Sequence, residues 1–263
     1  AAEWGPCRFL VNGAGGNQPA ALTTRLQFDP AELTGPMAGG EKGWWDVDLD
    51  VFESVLLTNT MGTVIPSRVF AKQMAAAGGG AIINFGSMNT YRPLTRVAAY
   101  AMSKAAGEYV VKMWGLKGLK WNILRFGTVY GQSTDKEMRA DMAIQKFLEA
   151  AKEKRGINIT GDGTQNRNFI HIDDLLRGLV LVSEKGITGE TINFAGKENT
   201  SINEIADYAL GFGVVGITTT EPRKDDFHDQ DVSNAKAKRL LNWEPEIRFE
   251  DGIKGFYEWL CQN

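Results

Sequence analysis

The chain has 263 residues, of which 43% are hydrophobic and 23% are charged. This composition is typical of a globular protein, and a chain of this length can bury roughly three-quarters of the surface that it exposes when unfolded. A formal net charge of −3 gives no broad attraction to nucleic acid or to an anionic membrane surface, so neither is expected as a partner.

Short apolar runs rich in β-branched or aromatic residues alternate with helical patterns along the chain. The runs RFLV (8–11), AIINF (81–85), WNILRF (121–126) and ETINFA (190–195) predict buried strands. Helical patterns lie at roughly 49–75, 97–114, 137–154 and 172–184. Strands that alternate with helices of this length predict an α/β fold, with a doubly wound parallel sheet of the Rossmann-like kind and right-handed crossovers.

Three further segments complete the predicted organisation. The segment 17–47 has no sustained periodicity and predicts a long ordered insertion beside the sheet. Ser201 begins SINE, a capping box, and Ser233 precedes NAKAKRLL, so a helix is expected after each serine. We therefore expect a Rossmann-like catalytic domain over residues 1–160, and over 161–263 a mixed segment that returns to the sheet and forms a small carboxy-terminal substrate lobe.

Ser87, Tyr100 and Lys104 form a constellation that suits hydride-transfer chemistry. Ser87 follows the strand AIINF, at the carboxyl end where a parallel sheet meets its ligands, and its hydroxyl can hydrogen-bond a reacting oxygen. Tyr100 and Lys104 are four residues apart in YAMSK, so a helix projects both from one face, about 6 Å apart along its axis. A free tyrosine ionises only near pH ~10, and a neighbouring ammonium stabilises the phenolate that acid–base work at neutral pH requires.

An isolated Tyr and Lys at this spacing more often merely cover the surface of a helix, but three further features accompany the pair. Ser87 lies thirteen residues before Tyr100, VNGAGG follows the strand RFLV, and Asn59 lies in NTMGT on the intervening helix. This order resembles the short-chain dehydrogenase/reductase superfamily, whose cofactor is NAD or NADP.

The resemblance implies a role for each of these residues. Tyr100 would be the general acid/base, Lys104 would stabilise its phenolate and hold the nicotinamide ribose, and Ser87 would orient the substrate. Asn59 would support a proton-relay water, although a helix-interior side chain that bonds the backbone is the structural alternative. The residues that would line the cofactor are Asn12, Gly13, Ala14 and Gly15.

Two branches of the superfamily share the resemblance. Residues up to about 100, with GWWDVDLDVFESVLLTN and INFGSMNTYRPLTRVAAY, resemble fructuronate (mannonate) reductases. Residues from about 100 on, with ILRFGTVYG, GDGTQNRNFIHIDDLLRGL and SNAKAKRLLNWEP, resemble extended nucleotide-sugar epimerases and dehydratases. The glycine-rich turn that normally opens both branches is missing, since VNGAGGNQP leads into no helical pattern. A chimera, or an amino-terminally incomplete chain that lacks its first βα units, is therefore expected.

The extended branch implies further binding residues. Phe126 and Gly127 of ILRFGTVYG would line the cofactor, and Thr128 stands where many members carry a substrate-binding Asn. Arg167 and Arg223 would contact the nucleotide diphosphate, because guanidinium groups suit phosphate oxygens. Arg167 has an alternative, an ion pair with one of the two aspartates of HIDD.

The upstream half suggests a different substrate contact. Arg92 and Arg96 in YRPLTR can face the carboxylate of a sugar acid, although either arginine alone also suits a solvated surface. His171 lies in an apolar run and is expected to be structural, and no residue pattern indicates a metal site.

Three functions stay open at this stage. The leading hypothesis is NAD(P)-dependent hydride transfer on a sugar, preferably a nucleotide-sugar. The alternatives are a fructuronate-type sugar-acid reductase and an inactive Rossmann-like binding or scaffold protein. Two cysteines without a disulfide framework favour a reducing cytoplasm, no apolar run is long enough to cross a bilayer, and relatives suggest a homodimer through the helices that contain Asn59 and Tyr100.

Overall fold

A computed structural model describes residues 5–24, 28–35, 37–91, 95–133, 142–221 and 231–262. The strands are β1 (Phe9–Asn12), β2 (Ala81–Phe85), β3 (Lys120–Phe126), β4 (Thr128–Tyr130), β5 (Ile157–Thr160), β6 (Asn166–His171), β7 (Glu190–Phe194), β8 (Asn199–Ser201) and β9 (Ile217–Thr220). The α-helices are α1 (Leu49–Ala76), α2 (Met88–Tyr91), α3 (Ala98–Leu116), α4 (Ala143–Lys152), α5 (Ile172–Glu184), α6 (Ile202–Phe212), α7 (Ala235–Leu241) and α8 (Phe249–Gln262).

The chain divides into two compact units. The first comprises Ala1–Arg125 and Gly186–Asn193, and the second comprises Phe126–Lys185 and Phe194–Asn263. These units do not coincide with the two segments expected from the sequence, because residues 126–160 belong to the second unit. The assignment of 1–160 and 161–263 to two functional domains stays a prediction.

The first unit is built on a sheet with the strand order β1-β2-β3-β7. β1 pairs with β2, and β2 pairs with β3, in parallel register. The helices that follow β1 and β2, α1 and α3, pack against each other. Beneath them the buried side chains of Met74, Ile82, Val111 and Ile123 form a hydrophobic core. The α/β class with a parallel sheet, predicted from the alternation of strands and helices, is confirmed.

The insertion 17–47 is ordered by short 3-10 turns where the structure describes it. These turns span Pro19–Ala21, Pro30–Leu33, Ala38–Gly40 and Trp44–Asp46. Asp29 caps the second turn through the amide of Ala31, and Glu32 accepts from the amide of Trp44 at 2.8 Å. The next residue, Asp48, caps α1, because its carboxylate accepts from the amides of Asp50 and Val51. Hydrogen bonds from backbone amides to side-chain carboxylates thus order a segment that has no helical or strand periodicity.

The second unit contains two small sheets with the orders β4-β6-β8 and β5-β9. Phe147, Leu148, Phe169, Ile205 and Phe249 belong to its hydrophobic core. The predicted capping box of α6 is present, since the Ser201 hydroxyl accepts from the Glu204 amide and the Glu204 carboxylate accepts from the Ser201 amide. The predicted helix at 137–154 is described from Ala143 to Lys152, and residues 134–141 lie outside the described ranges.

Candidate active site

The side chain of Lys104 joins the carboxyl ends of two neighbouring strands in the first unit. Its Nζ donates to the carbonyl oxygen of Phe85, the last residue of β2, at 3.2 Å, and to that of Ala14, two residues after β1, at 3.4 Å. The side chain is only 9% exposed, and burial lowers the pKa of Lys104. Within the described residues these bonds use two of the three ammonium N–H groups, so one N–H can serve a ligand hydroxyl.

Tyr100 lies one helical turn before Lys104 on α3. The Lys104 Nζ is 5.8 Å from the centroid of the Tyr100 ring, within the distance at which an ammonium and an aromatic face attract each other. The ring also packs against a small buried cluster that includes Val55 and Ala99. The predicted placement of Tyr100 and Lys104 on one helix face is therefore present.

Ser87 lies two residues after the carbonyl that Lys104 binds. Its side chain is buried, and its Oγ accepts from the amide of Asn89 at 3.2 Å at the start of α2. The hydroxyl proton of Ser87 is not used in that bond, because the oxygen is the acceptor. Ser87 and Lys104 thus share the carboxyl end of β2.

The carboxamide of Asn59 binds the loop after β1. Its Oδ1 accepts from the amide of Gly16 at 2.8 Å, and its Nδ2 donates to the carbonyl of Gly16 at 2.9 Å and to the Ser103 hydroxyl at 2.9 Å. Ser103 in turn donates to the carbonyl of Tyr100 at 2.7 Å. This geometry favours the structural alternative for Asn59, in which the side chain binds backbone and not a relay water.

The loop over residues 12–16 contains glycine where a side chain would not fit. Gly15 has φ +132°, and a Cβ there would lie 2.6 Å from Asn59 Oδ1 and 3.3 Å from Lys104 Nζ. Asn12 is turned inward, and its Nδ2 donates to Ser67 Oγ at 3.0 Å. Gly13 and Ala14 are exposed. An exposed loop without bulky side chains beside an ammonium fits the ribose end of a nicotinamide cofactor, whereas Asn12 serves the interior of the unit.

Sequence reasoning missed a partly buried ion pair one turn after Lys104. Glu108 on α3 accepts two hydrogen bonds from Arg125 on β3, at 2.8 Å from Nε and 2.7 Å from Nη2. The spacing of Tyr100, Lys104 and Glu108 at successive helical turns was a visible signal for Glu108. Ser103 was missed as well, although it directly precedes Lys104.

The expected sugar-acid contact at Arg96 has another partner. The Nε of Arg96 donates to the carbonyl of Thr23 at 3.3 Å, and the Thr23 amide donates to the carbonyl of Arg96 at 3.3 Å. Arg96 therefore connects the insertion to the turn before α3. Arg92 lies outside the described residues, as does Arg223.

The remaining predicted binding residues belong to the second unit. Thr128 pairs with Phe169 in the β4–β6 register, and the amide of Gly127, which follows Phe126, donates to the carbonyl of Phe194 at 3.3 Å. Arg167 donates from Nη1 to the carbonyl of Asn166 at 2.7 Å. These contacts describe backbone environments, and the ligand contacts of these residues stay predictions.

The two aspartates that could have paired with Arg167 have other partners. The Oδ1 of Asp174 is 2.8 Å from the Nη2 of Arg177, and the Oδ2 of Asp173 is 3.6 Å from the Nδ1 of His171. That same Nδ1 accepts from the amide of Asp173 at the start of α5, so His171 has a structural role as a helix cap. Burial lowers the pKa of His171, against the opposing charge of Asp173.

Neither a metal centre nor a membrane span emerges from the part of the chain that the structure describes. No group of three or more His, Cys, Asp or Glu side chains there could hold a metal ion. None of the helices described is long and apolar enough to cross a membrane.

Known proteins resemble this chain in sequence and in fold. The chain is 36% identical over 178 residues to a UDP-glucuronate 4-epimerase of Thermodesulfobacterium geofontis, covering 64% of this chain and 52% of that protein. It is 38% identical over 187 residues to an uncharacterized oxidoreductase, UxuB, of Bacillus subtilis, covering 71% of this chain and 63% of that protein. The chain therefore spans between about half and two thirds of the length of these two relatives.

A solved structure gives a similar result. The UDP-glucuronic acid 4-epimerase of Bacillus cereus in complex with NAD matches with a TM-score of 0.64 and 27% identity, over 84% of this chain and 72% of that one. This match agrees with the α/β fold and parallel sheet described above.

A family model extends across the point where the sequence suggested a join. The model for the NAD dependent epimerase/dehydratase family matches residues 67–195, and an alignment of 187 residues within 263 must also cross residue 100. A join at residue 100 is therefore not shown, and the fructuronate reductase resemblance stays a prediction. Residues 67–195, just under half of the chain, are therefore similar to the NAD dependent epimerase/dehydratase family.

Proposed function

We propose that this chain carries out nicotinamide-dependent hydride transfer on a nucleotide-sugar, with Tyr100 as the general acid/base. One observation carries the proposal. The Lys104 ammonium bonds the carboxyl ends of two parallel strands while lying 5.8 Å from the centroid of the Tyr100 ring. Ligands of open α/β sheets bind at such strand ends, and a cation beside a phenol stabilises its ionised form.

The chain's own residues divide the work. Tyr100 accepts the proton of a substrate hydroxyl, or returns it, while the positive charge of Lys104 stabilises the phenolate. The remaining N–H of Lys104 holds a ribose hydroxyl, and the Ser87 hydroxyl donates to the substrate oxygen whose charge changes. When bound, the nicotinamide group supplies hydride transfer. Asn59 and Ser103 position this machinery, since both bind backbone of the site.

The proposed substrate class rests on the relatives. The epimerases named above act on UDP-glucuronate, and one of them binds NAD, so we propose a UDP-sugar and NAD, with NADP as the alternative cofactor. Thr128, Arg167 and Arg223 are the proposed substrate contacts, because a hydroxyl and two guanidinium groups suit a sugar and its diphosphate.

The decisive experiment compares two tyrosines of the same helix. Fluorescence titration with NADH and NADPH, with and without UDP-glucuronate, measures cofactor binding, and product formation measures turnover. Tyr100→Phe should lower turnover by roughly 100-fold or more, because it removes the proton-transfer group. Tyr109→Phe is the matched control, since Tyr109 also lies on α3 but is 76% exposed. Equal turnover in the two variants contradicts the proposal.

A sugar-acid reductase is the second candidate, and the identity to the oxidoreductase UxuB favours it. In this case the chain would reduce free fructuronate and need no nucleotide. Consumption of NADH with fructuronate, and not with UDP-glucuronate, would select this function. If calorimetry detects no binding of either nicotinamide cofactor to a cooperatively folded protein, the inactive scaffold is selected instead.

We also propose a homodimer through α1 and α3, and a cytoplasmic location. The two helices carry exposed apolar side chains at Leu57, Ile65, Met102 and Leu116, which a second copy would cover. Sedimentation should give a dimer that Ile65→Glu dissociates, while a monomeric parent protein would refute the interface. Cys7 and Cys261 are free thiols, in keeping with a reducing compartment.

A further inference from the structure

Lys104 and Glu108 each lie close to one of two consecutive residues, Phe85 and Gly86. Lys104 Nζ is 3.2 Å from the carbonyl oxygen of Phe85, and a Cβ at the next residue, Gly86, would lie 2.7 Å from Glu108 Oε1. The two side chains are also four residues apart on α3, where opposite charges commonly pair.

The ion pair that this spacing favours does not form, because both groups have other partners. The two carboxylate oxygens of Glu108 each accept from Arg125, at 2.8 Å and 2.7 Å, in a planar bidentate arrangement. Lys104 donates to two uncharged carbonyl oxygens instead. Glu108 is only 3% exposed, so water cannot screen its charge effectively.

We propose that Arg125 is a positioning residue that holds Glu108 away from Lys104 and thereby keeps the ammonium at the strand ends, beside Tyr100. Without the guanidinium, the buried carboxylate would turn to the cations of its own helix, of which Lys104 is buried and Lys112 is 46% exposed. The Lys104 ammonium would then leave the carbonyls of Ala14 and Phe85. The positioning of Lys104 is independent of the proposed function, and only an effect of Arg125 on turnover rests on that function.

The charged and titratable groups around Lys104 agree with a pairing of Glu108 with Arg125 and not with Lys104. Burial lowers the pKa of Lys104. On its own helix Tyr100 lies one turn before Lys104 and Glu108 lies one turn after it, while Arg125 on β3 is a cation and Asn59 on α1 is uncharged. The Nζ of Lys112, farther along α3, is 4.0 Å from Oε2 of Glu108, and the Lys112 side chain is 46% exposed. Arg125, whose side chain is 15% exposed, is therefore the cation that neutralises Glu108.

The test measures the ionisation of Lys104 directly, without turnover. An NMR titration of protein labelled at the lysine ε-carbon gives the pH midpoint at which the Lys104 ammonium ionises. The Lys104 signal is assigned as the one that disappears in Lys104→Arg. In Arg125→Met the freed carboxylate should raise that midpoint by about one pH unit or more. The double variant Arg125→Met with Glu108→Gln should return it to the parent value, and Arg125→Lys should stay near the parent.

Two results would overturn the proposal. One is an unchanged Lys104 midpoint in Arg125→Met, and the other is a shift that survives in the double variant. If Arg125→Met does not fold, Glu108→Gln still decides, because the proposal expects no change of the Lys104 midpoint there and a drop of a unit refutes it. These readouts are independent of Tyr100→Phe kinetics, so failure of the proposed function and failure of this inference are distinguishable.

Discussion

Replacing Asn59 by Ala tests how the loop after β1 is held. The carboxamide of Asn59 is 2% exposed and makes three hydrogen bonds, two to the backbone of Gly16 and one to Ser103. At ~1 kcal/mol for each bond, the substitution should cost about 3 kcal/mol. The cost should appear locally, because the Gly16 amide loses its acceptor.

Hydrogen exchange of the Gly16 amide is the direct assay. A local loss of about 3 kcal/mol corresponds to exchange that is roughly 100-fold faster, since ~1.4 kcal/mol is a factor of ten. Asn17→Ala is the control in the same loop, because its Oδ1 only accepts an exposed bond from the Gln18 amide. If Gly16 exchanges no faster in Asn59→Ala than in Asn17→Ala, Asn59 does not hold the loop and the relay role regains support.

Two further predictions concern packing and pH. Gly86→Ala should lower the free energy of unfolding in urea by about 1–3 kcal/mol, because the added Cβ would lie 2.7 Å from Glu108 Oε1. Gly211→Ala is the control and should stabilise the protein, because Gly211 lies on a helix with open space around it. Equal effects of the two substitutions would contradict the packing argument. His171 has its pKa lowered by burial, against Asp173, so its contribution to stability is present above pH ~6.5 and is lost as the pH falls through the folded-state value. His171→Asn, which can still cap α5, should flatten that part of the pH dependence of the urea midpoint, and an unchanged slope would exclude His171 as its source.

The main elements could be predicted because their signals are local. The four predicted strands and the helices α1, α3 and α5 have bounds within about two residues of those in the structure, because apolar periodicity and glycine turns lie within each segment. β4, β5, β6, β8 and β9 were not predicted. All of them except the six-residue β6 have only three or four residues, and their strand character depends on pairing with distant residues, as that of Thr128 does with Phe169.

The site shows the same division between local and distant signals. Tyr100 and Lys104 could be placed on one face because helical geometry fixes their spacing. The role of Asn59 could not be settled from sequence, since its partners Gly16 and Ser103 are 43 and 44 residues away. Arg125 was missed for the same reason, because its partner Glu108 lies on a different element.

The interleaving of the two units has a consequence for the order of synthesis. β3 ends at Phe126, but β7, its neighbour in the first sheet, begins only at Glu190, after the whole first segment of the second unit. While the chain emerges from a ribosome, β3 is therefore a temporary sheet edge until Gly186–Asn193 arrives. An exposed edge strand can pair wrongly, so the intervening segment determines how long the nascent chain is vulnerable to aggregation. No cut at a single peptide bond separates the units, and expression of residues 1–125 alone would leave that edge open permanently.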